Sequence, residues 1–332
     1  MQVLARTFGE VDEGAAGSAS VDASVLRERV KSMASEDVVR YRMGQIPEGP
    51  LFITASVDVA ANRFDILFRA WDLERRSWLI DRRTIRQRVH PDGVLRDIRP
   101  TRVADDWMVL ESEVVDRLFV FQDDPTKALP VAVTTIDTGD GNATWNAYEF
   151  ARRMDKKRWA DWRRVRCIKG VGGKRERVTG PTKISKDSEG KPVSPVVTLH
   201  TLGVDELKRD VIADLAIEDG SPGMCFFAVD TPKDAFDEFF GETEQDGKWV
   251  RSGPNETLDL YGYAEGGRLM LEPDRKDRLW DDPAKRPIWA RPIDLSRDDE
   301  PEAVPVAGQP APPKPTKPSL FDRFDKLNQG GR

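Results

Sequence analysis

The chain is 332 residues long, 39% hydrophobic and 33% charged, with a formal net charge of −6 at pH 7. That length accommodates one large domain with tails or two small ones, and the polar balance points to sizeable solvated segments. No run approaches the roughly 20 apolar residues of a membrane span, and the N-terminus lacks the apolar core of a signal peptide, so neither a membrane nor a secreted protein is expected.

Residues 1–45 read as a linker or N-terminal extension, with a helix over "ASVLRERVKSMA" that either Asp22 or Ser24 caps. The run 50–59 reads as a buried strand, and "RFDILFRAW" and "SWLIDRRTI" alternate as antiparallel neighbours joined by the charged turn "DLERR". A helix is expected over 105–121, carrying Trp107, Leu110, Val114 and Leu118 on one face. "ALPVAVTTID" is the next buried strand, "NATWNAYEFARRMDKKR" a helix capped by Asn142, and "RVRCIKG" a short strand. "GVGGKRERVTGPTKISKDSEGKPVSP" reads as a long flexible loop. An amphipathic helix follows in "GVDELKRDVIADLAI", then a strand-like "MCFFAVD", a short acidic helix in "KDAFDEFFGETEQ", and a helix in "NETLDLYGYAEGG" that Gly266 and Gly267 should stop. Residues 271–332 hold 11 of the 23 prolines and read as a disordered Pro-rich tail ending in the short amphipathic segment "SLFDRFDKLNQ", suited to folding on a partner. The folded domain is therefore expected over 46–270, as an α/β fold whose buried first strand and two hairpin strands match a ribonuclease H-like mixed sheet flanked by helices.

Charge is unevenly spread. Residues 152–191 contain 15 Lys or Arg against 5 Asp or Glu, a local net of +10 that leaves −16 for the rest. Such asymmetry in an acidic protein points to nucleic acid, because cationic side chains release phosphate counterions. Lys169, Lys174, Arg175, Arg177, Lys183 and Lys186 are the candidate phosphate contacts, against the alternative of a merely solvated basic surface. Trp159 and Trp162 either stack on bases or pack in the core. Cys167 and Cys225 lie in apolar runs and are expected as buried thiols, and the two histidines, His90 and His200, have no partner at ligand spacing, which argues against zinc and against a His-based triad.

Three aspartates stand out. Asp58 closes "LFITASVD", Asp137 closes "LPVAVTTID", and Asp259 lies in "NETLDLYGYA". Open α/β sheets place their sites at strand carboxyl ends, and three carboxylates from separate segments make a hard-oxygen cage for Mg²⁺ or Mn²⁺. Two such ions about 4 Å apart suit phosphodiester hydrolysis. Asp58 would bridge them, with Asp137 and Asp259 each holding one. Strand-end and capping aspartates are common, and spacing alone leaves that alternative open. Asp140 is either an outer ligand or a turn former. Glu256 either reaches the same ion as Asp259 or caps its helix, and Asp205 reads as a cap.

The segment from Leu51 to Ile85 resembles the opening of the nuclease domain of lambda-type phage terminase large subunits, with its Val-Asp-Val strand and Ser-Trp-Leu-Ile-Asp strand. "TTIDTGDGNATWNAYEFARR", "RCIKGVGGKRERV", "LGVDELKRDVIADLAI" and "GPNETLDLYGYAEGG" resemble further segments of that family in the same order, over roughly residues 46 to 268. The resemblance implies a ribonuclease H-like endonuclease that cuts concatemeric double-stranded viral DNA during packaging, with Asp58, Asp137 and Asp259 as its acids and Lys208 facing the scissile phosphate, unless Lys208 serves only a salt bridge. It also implies partners: the ATPase motor, the small terminase subunit, and the portal or procapsid through the C-terminal tail, all in the host cytoplasm. One departure concerns ATP. The nearest approach to a P-loop is Gly173-Lys174, where Ile168 replaces the first Gly and Arg175 follows the Lys. The chain is therefore expected not to hydrolyse ATP, as an isolated nuclease domain or half of a split terminase. The rival expectations are a junction resolvase or transposase-like nuclease, and a packaging adaptor that binds DNA and portal without cutting.

Overall fold

The structure is a computed structural model that describes residues 21–33, 40–156, 162, 164–186 and 190–296. The start of the N-terminal extension, Trp159 and the amphipathic end of the Pro-rich tail lie outside those residues. In chain order the elements are α1 (Ala23–Met33), β1 (Gln45–Ile46), β2 (Phe52–Ala60), β3 (Arg63–Trp71), β4 (Ser77–Ile85), β5 (Gln87–Val89), β6 (Leu95–Asp97), β7 (Leu118–Phe121), β8 (Lys127–Asp137), α2 (Thr144–Lys156), β9 (Val165–Val171), β10 (Val178–Lys186), β11 (Pro192–Gly203), α3 (Val204–Leu215), β12 (Cys225–Phe227), α4 (Lys233–Glu238), β13 (Glu242–Gln245), β14 (Lys248–Arg251), α5 (Glu256–Leu271) and β15 (Ile293–Asp294).

A central mixed sheet runs β10-β11-β9-β8-β2-β3-β4-β12. β2, β3 and β4 are antiparallel neighbours, while β8 lies parallel to both β2 and β9. Side chains alternate across the sheet. Ile53, Ala55, Val57 and Val59 of β2 join one core, with α2 and the turns around Trp107. Thr54 and Ser56 face the opposite side, where Ser56 Oγ donates to the Leu260 carbonyl of α5 at 2.8 Å. A second core there holds α3, α5 and Leu26 of α1. Asp58 continues this second set, and the pairing of Val57 with Ile136 brings it beside Asp137.

Several expectations are revised. The stretch 105–121 is not one helix: a 3₁₀ turn (Ala104–Met108) and a π turn (Glu111–Val115) bury Trp107, Leu110 and Val114, and pairing with β8 claims Leu118 onward for β7. The expected basic loop is instead a two-stranded ribbon, β10 against β11, with bulges near Thr179–Thr182 and Ile184–Lys186. Backbone hydrogen bonds to the sheet edge organise what composition alone reads as loop. Gly266 and Gly267 do not stop a helix; they lie inside α5 because a side chain there has no room. A Cβ on Gly267 would meet Val133 Cγ1 at 3.2 Å, and one on Gly266 would meet Leu202 at 2.9 Å. Nor does the fold end at 270: Trp280 and Trp289 pack on Phe52 with ring centroids 5.9 and 5.3 Å away, and β15 pairs with β8. Burial of Trp289 and partial burial of Trp280 offset the ordering cost that the proline content suggested would prevail.

Two cap assignments resolve. Asp22 caps α1, accepting the amides of Ser24 at 2.7 Å and Val25 at 2.9 Å. Asn142 does not cap α2; its amide and side chain donate to Asp140 Oδ1 at 2.9 and 3.1 Å. Cys167 and Cys225 are free and buried, and burial pushes the Cys167 thiol up to about 12. No helix among the described residues is long and apolar enough to cross a membrane.

Candidate active site

The acids converge where β2 and β8 run side by side beneath the first two turns of α5. Asp58 comes from β2, Asp137 from the last residue of β8, and Asp259 from the first turn of α5. Burial, reinforced by Asp137, Asp259 and Asp65, raises the Asp58 carboxyl from its ordinary 3.8 to about 7. Burial also raises Asp137 and Asp259, against the pull of the Gly139 amide on the first and of Lys208 on the second. Three separate segments therefore supply carboxylates that feel one another in a poorly solvated place, which favours protons or cations there.

Asp137 and Asp259 are held by residues that local pattern did not single out. Asp137 Oδ1 accepts the Gly139 amide at 3.0 Å, and the buried Tyr263 phenol donates to the same carboxylate. Tyr263 stands four residues after Asp259, on the same face of α5. Asn255 occupies the position before α5 but makes no cap with its side chain. Its amide instead bridges Asp259 Oδ2 at 2.9 Å and Glu242 Oε1 at 2.8 Å. The α5 N-terminus is served by Glu238, which accepts the Thr257 amide at 3.1 Å. Asp65, directly opposite Asp58 on β3, pairs with Arg63 Nε at 2.6 Å and accepts the Thr84 hydroxyl at 2.6 Å. The i to i+4 spacing to Asp259 could have exposed Tyr263 and Asn255. Nothing local marks Glu242, which reaches the site only through the β13–β14 hairpin.

The remaining candidates fall into place around this centre. Lys208 is buried, with Nζ 2.9 Å from Asp259 Oδ1 and in contact with Glu242. Its partners are thus the acids of the site rather than a surface carboxylate. Asp140 forms the turn before α2 through its bonds to Asn142. Glu256 Oε1 faces Arg63 and Arg251, each at 3.5 Å, and does not cap its helix. Asp205 is not a cap either: it accepts the Gly173 amide at 2.6 Å and ties down the loop after β9. Lys169, Lys174, Lys183 and Lys186 are exposed. Arg175 is exposed and donates to the Gly172 carbonyl at 2.9 Å. Arg177 is spoken for by a bidentate pair with Asp210, one bond measuring 2.7 Å, which removes it from the free cations. Trp162 belongs to the core side of its alternative, donating to the Ala132 carbonyl at 2.5 Å.

The donor chemistry suits a hard divalent cation, being three carboxylates without sulfur or imidazole. The arrangement does not close into a cage: among the described residues no three His, Cys, Asp or Glu side chains are grouped to hold an ion. Both oxygens of Asp259 are already engaged, one by Lys208 and one by Asn255.

The sheet carries half-buried acids on two adjacent strands and on the helix that packs over them, near the strand carboxyl ends where open α/β sheets place their sites. The chain matches the family model for the endonuclease domain of the terminase large subunit gpA over residues 2–279, and it belongs to that family. No curated protein and no solved structure matched it.

Proposed function

We propose that this endonuclease domain is metal-dependent and cuts concatemeric double-stranded viral DNA during genome packaging, with Asp58, Asp137 and Asp259 holding Mg²⁺ or Mn²⁺. The observation that carries the reading is the crowding of these three half-buried carboxylates from separate segments, which together with partial desolvation pushes Asp58 to about 7. A divalent ion is the partner that relieves such crowding without protonation. When bound, the ions supply an activated water and stabilise the leaving oxygen. The protein's share is positional. Tyr263 and Gly139 orient Asp137, Asn255 orients Asp259, and Arg63 removes Asp65 from competition. The strand order around β2, antiparallel to one side and parallel to the other, supports a ribonuclease H-like reading of the sheet.

Exposed Lys169, Lys174, Arg175, Lys183 and Lys186 would grip the duplex through its phosphates, without sequence preference. Site choice then falls to a small terminase subunit, processivity to an ATPase motor, and portal docking to the C-terminal tail, in the host cytoplasm.

The test is cleavage of supercoiled plasmid in Mn²⁺, Mg²⁺ and EDTA, with Asp58→Asn alongside. Metal-dependent linearisation that disappears in the variant is expected. One observation favours a second reading, a DNA- and portal-binding adaptor: Lys208 already neutralises Asp259. A folded protein that retards DNA yet never cuts it in any metal would select that reading.

A further inference from the structure

A buried cation lies against the acids. Lys208 lies on α3, 7% exposed, with its ammonium between Asp259 Oδ1 and Glu242 Oε2 and 5.7 Å from the centre of the Trp249 ring. Glu242 is anchored independently of the lysine by Asn255, whose amide spans Glu242 and Asp259. Each oxygen of Asp259 thus has a donor, the ammonium on Oδ1 and the Asn255 amide on Oδ2, while Glu242 offers the ammonium a second partner that is no member of the proposed cation set. The ammonium can leave Asp259 without becoming an unpaired buried charge, which would be strongly unfavourable.

We propose that Lys208 is a built-in counter-cation that occupies Asp259 until a divalent ion arrives, and that Glu242 is the station to which it withdraws. The inference rests on the reading of Asp58, Asp137 and Asp259 as the cation site. Lys208 and the incoming ion compete for one carboxylate, and Glu242 sets the balance by stabilising the displaced ammonium. Lys208 is a positioning residue here; it acts on Asp259, not on DNA.

The experiment is calorimetric titration of Mn²⁺ into the full chain and into two variants, without DNA. Lys208→Met keeps the length of the side chain and removes the competitor, so Mn²⁺ binding should tighten by about tenfold, the equivalent of one competing ion pair removed. Its melting temperature in EDTA should fall, because Asp259 and Glu242 are left facing each other. Glu242→Gln keeps the competitor but removes its retreat, so Mn²⁺ binding should weaken. A pair that the ion does not meet would leave both affinities unchanged, and that result, or a shift of both in the same direction, overturns the proposal while leaving the nuclease reading intact. If Lys208→Met does not fold, the direction of Glu242→Gln decides alone. Absence of Mn²⁺ binding in the unmodified chain overturns the cation site itself and the latch with it.

Discussion

Asp58 is the residue on which the site's electrostatics turn. Its carboxyl is lifted from 3.8 to about 7, first by burial and then by Asp137, Asp259 and Asp65. A raised carboxyl binds its proton more tightly in the folded state, so its contribution to stability is complete below about pH 4 and is lost as pH rises through about 7. In EDTA the melting temperature should therefore fall between pH 5 and pH 8, by an amount on the order of a few kcal/mol in stability. Asp58→Asn should flatten that slope and raise the melting temperature at pH 8, since it removes a repelling charge. A slope unchanged in the variant would assign the pH dependence elsewhere. Much of this was legible from residue type and position: acids ending apolar strands are conspicuous. Glu242 was not, because its approach to Asp259 is made by a hairpin whose placement no local spacing encodes.

At the scale of elements, two features stand apart from their sequence patterns. α5 crosses the sheet closely because Gly266 and Gly267 leave room for Leu202, Val133 and Thr135. Gly267→Leu should cost about 1–3 kcal/mol through overpacking, read by urea denaturation, and should disturb Asp259 and Tyr263 on the same helix. Read locally, a Gly-Gly pair after an apolar helix signals its end; only the facing side chains reveal it as a packing surface. The β10–β11 ribbon carries exposed Lys183 and Lys186. Replacing both by Glu should weaken DNA retention in gel-shift assays and reduce the steepness of its salt dependence by about 0.9 for each phosphate no longer neutralised. Arg177→Gln should change DNA binding far less, since Asp210 already holds that guanidinium.

For the molecule as a whole, the domain extends past the point at which its composition changes. Residues 272–296 return to the sheet, where Trp289 packs on Phe52 and Ile293 pairs with Ala128. Trp289→Ala should lower stability by about 3 kcal/mol, measured by thermal or urea unfolding. An unfolding curve indistinguishable from that of the unmodified chain would return these residues to the tail.

Sequence alone determined what periodicity and residue type can encode. It determined the apolar runs that build β2 and β8, the alternation of β3 and β4, the helix before β9, and the ordered segments of the terminase resemblance, because each is written over a few consecutive residues; it also singled out three acids as candidates. Tertiary structure decided the rest: that Lys208 lies on Asp259, that Asn255 and Tyr263 orient the acids, that Arg177 is paired, and that a Gly-, Lys- and Pro-rich stretch becomes a ribbon. Apart from the four-residue reach of Asn255 to Asp259, those outcomes depend on interactions between separate segments, whose energies are settled only when the whole sheet has closed around them.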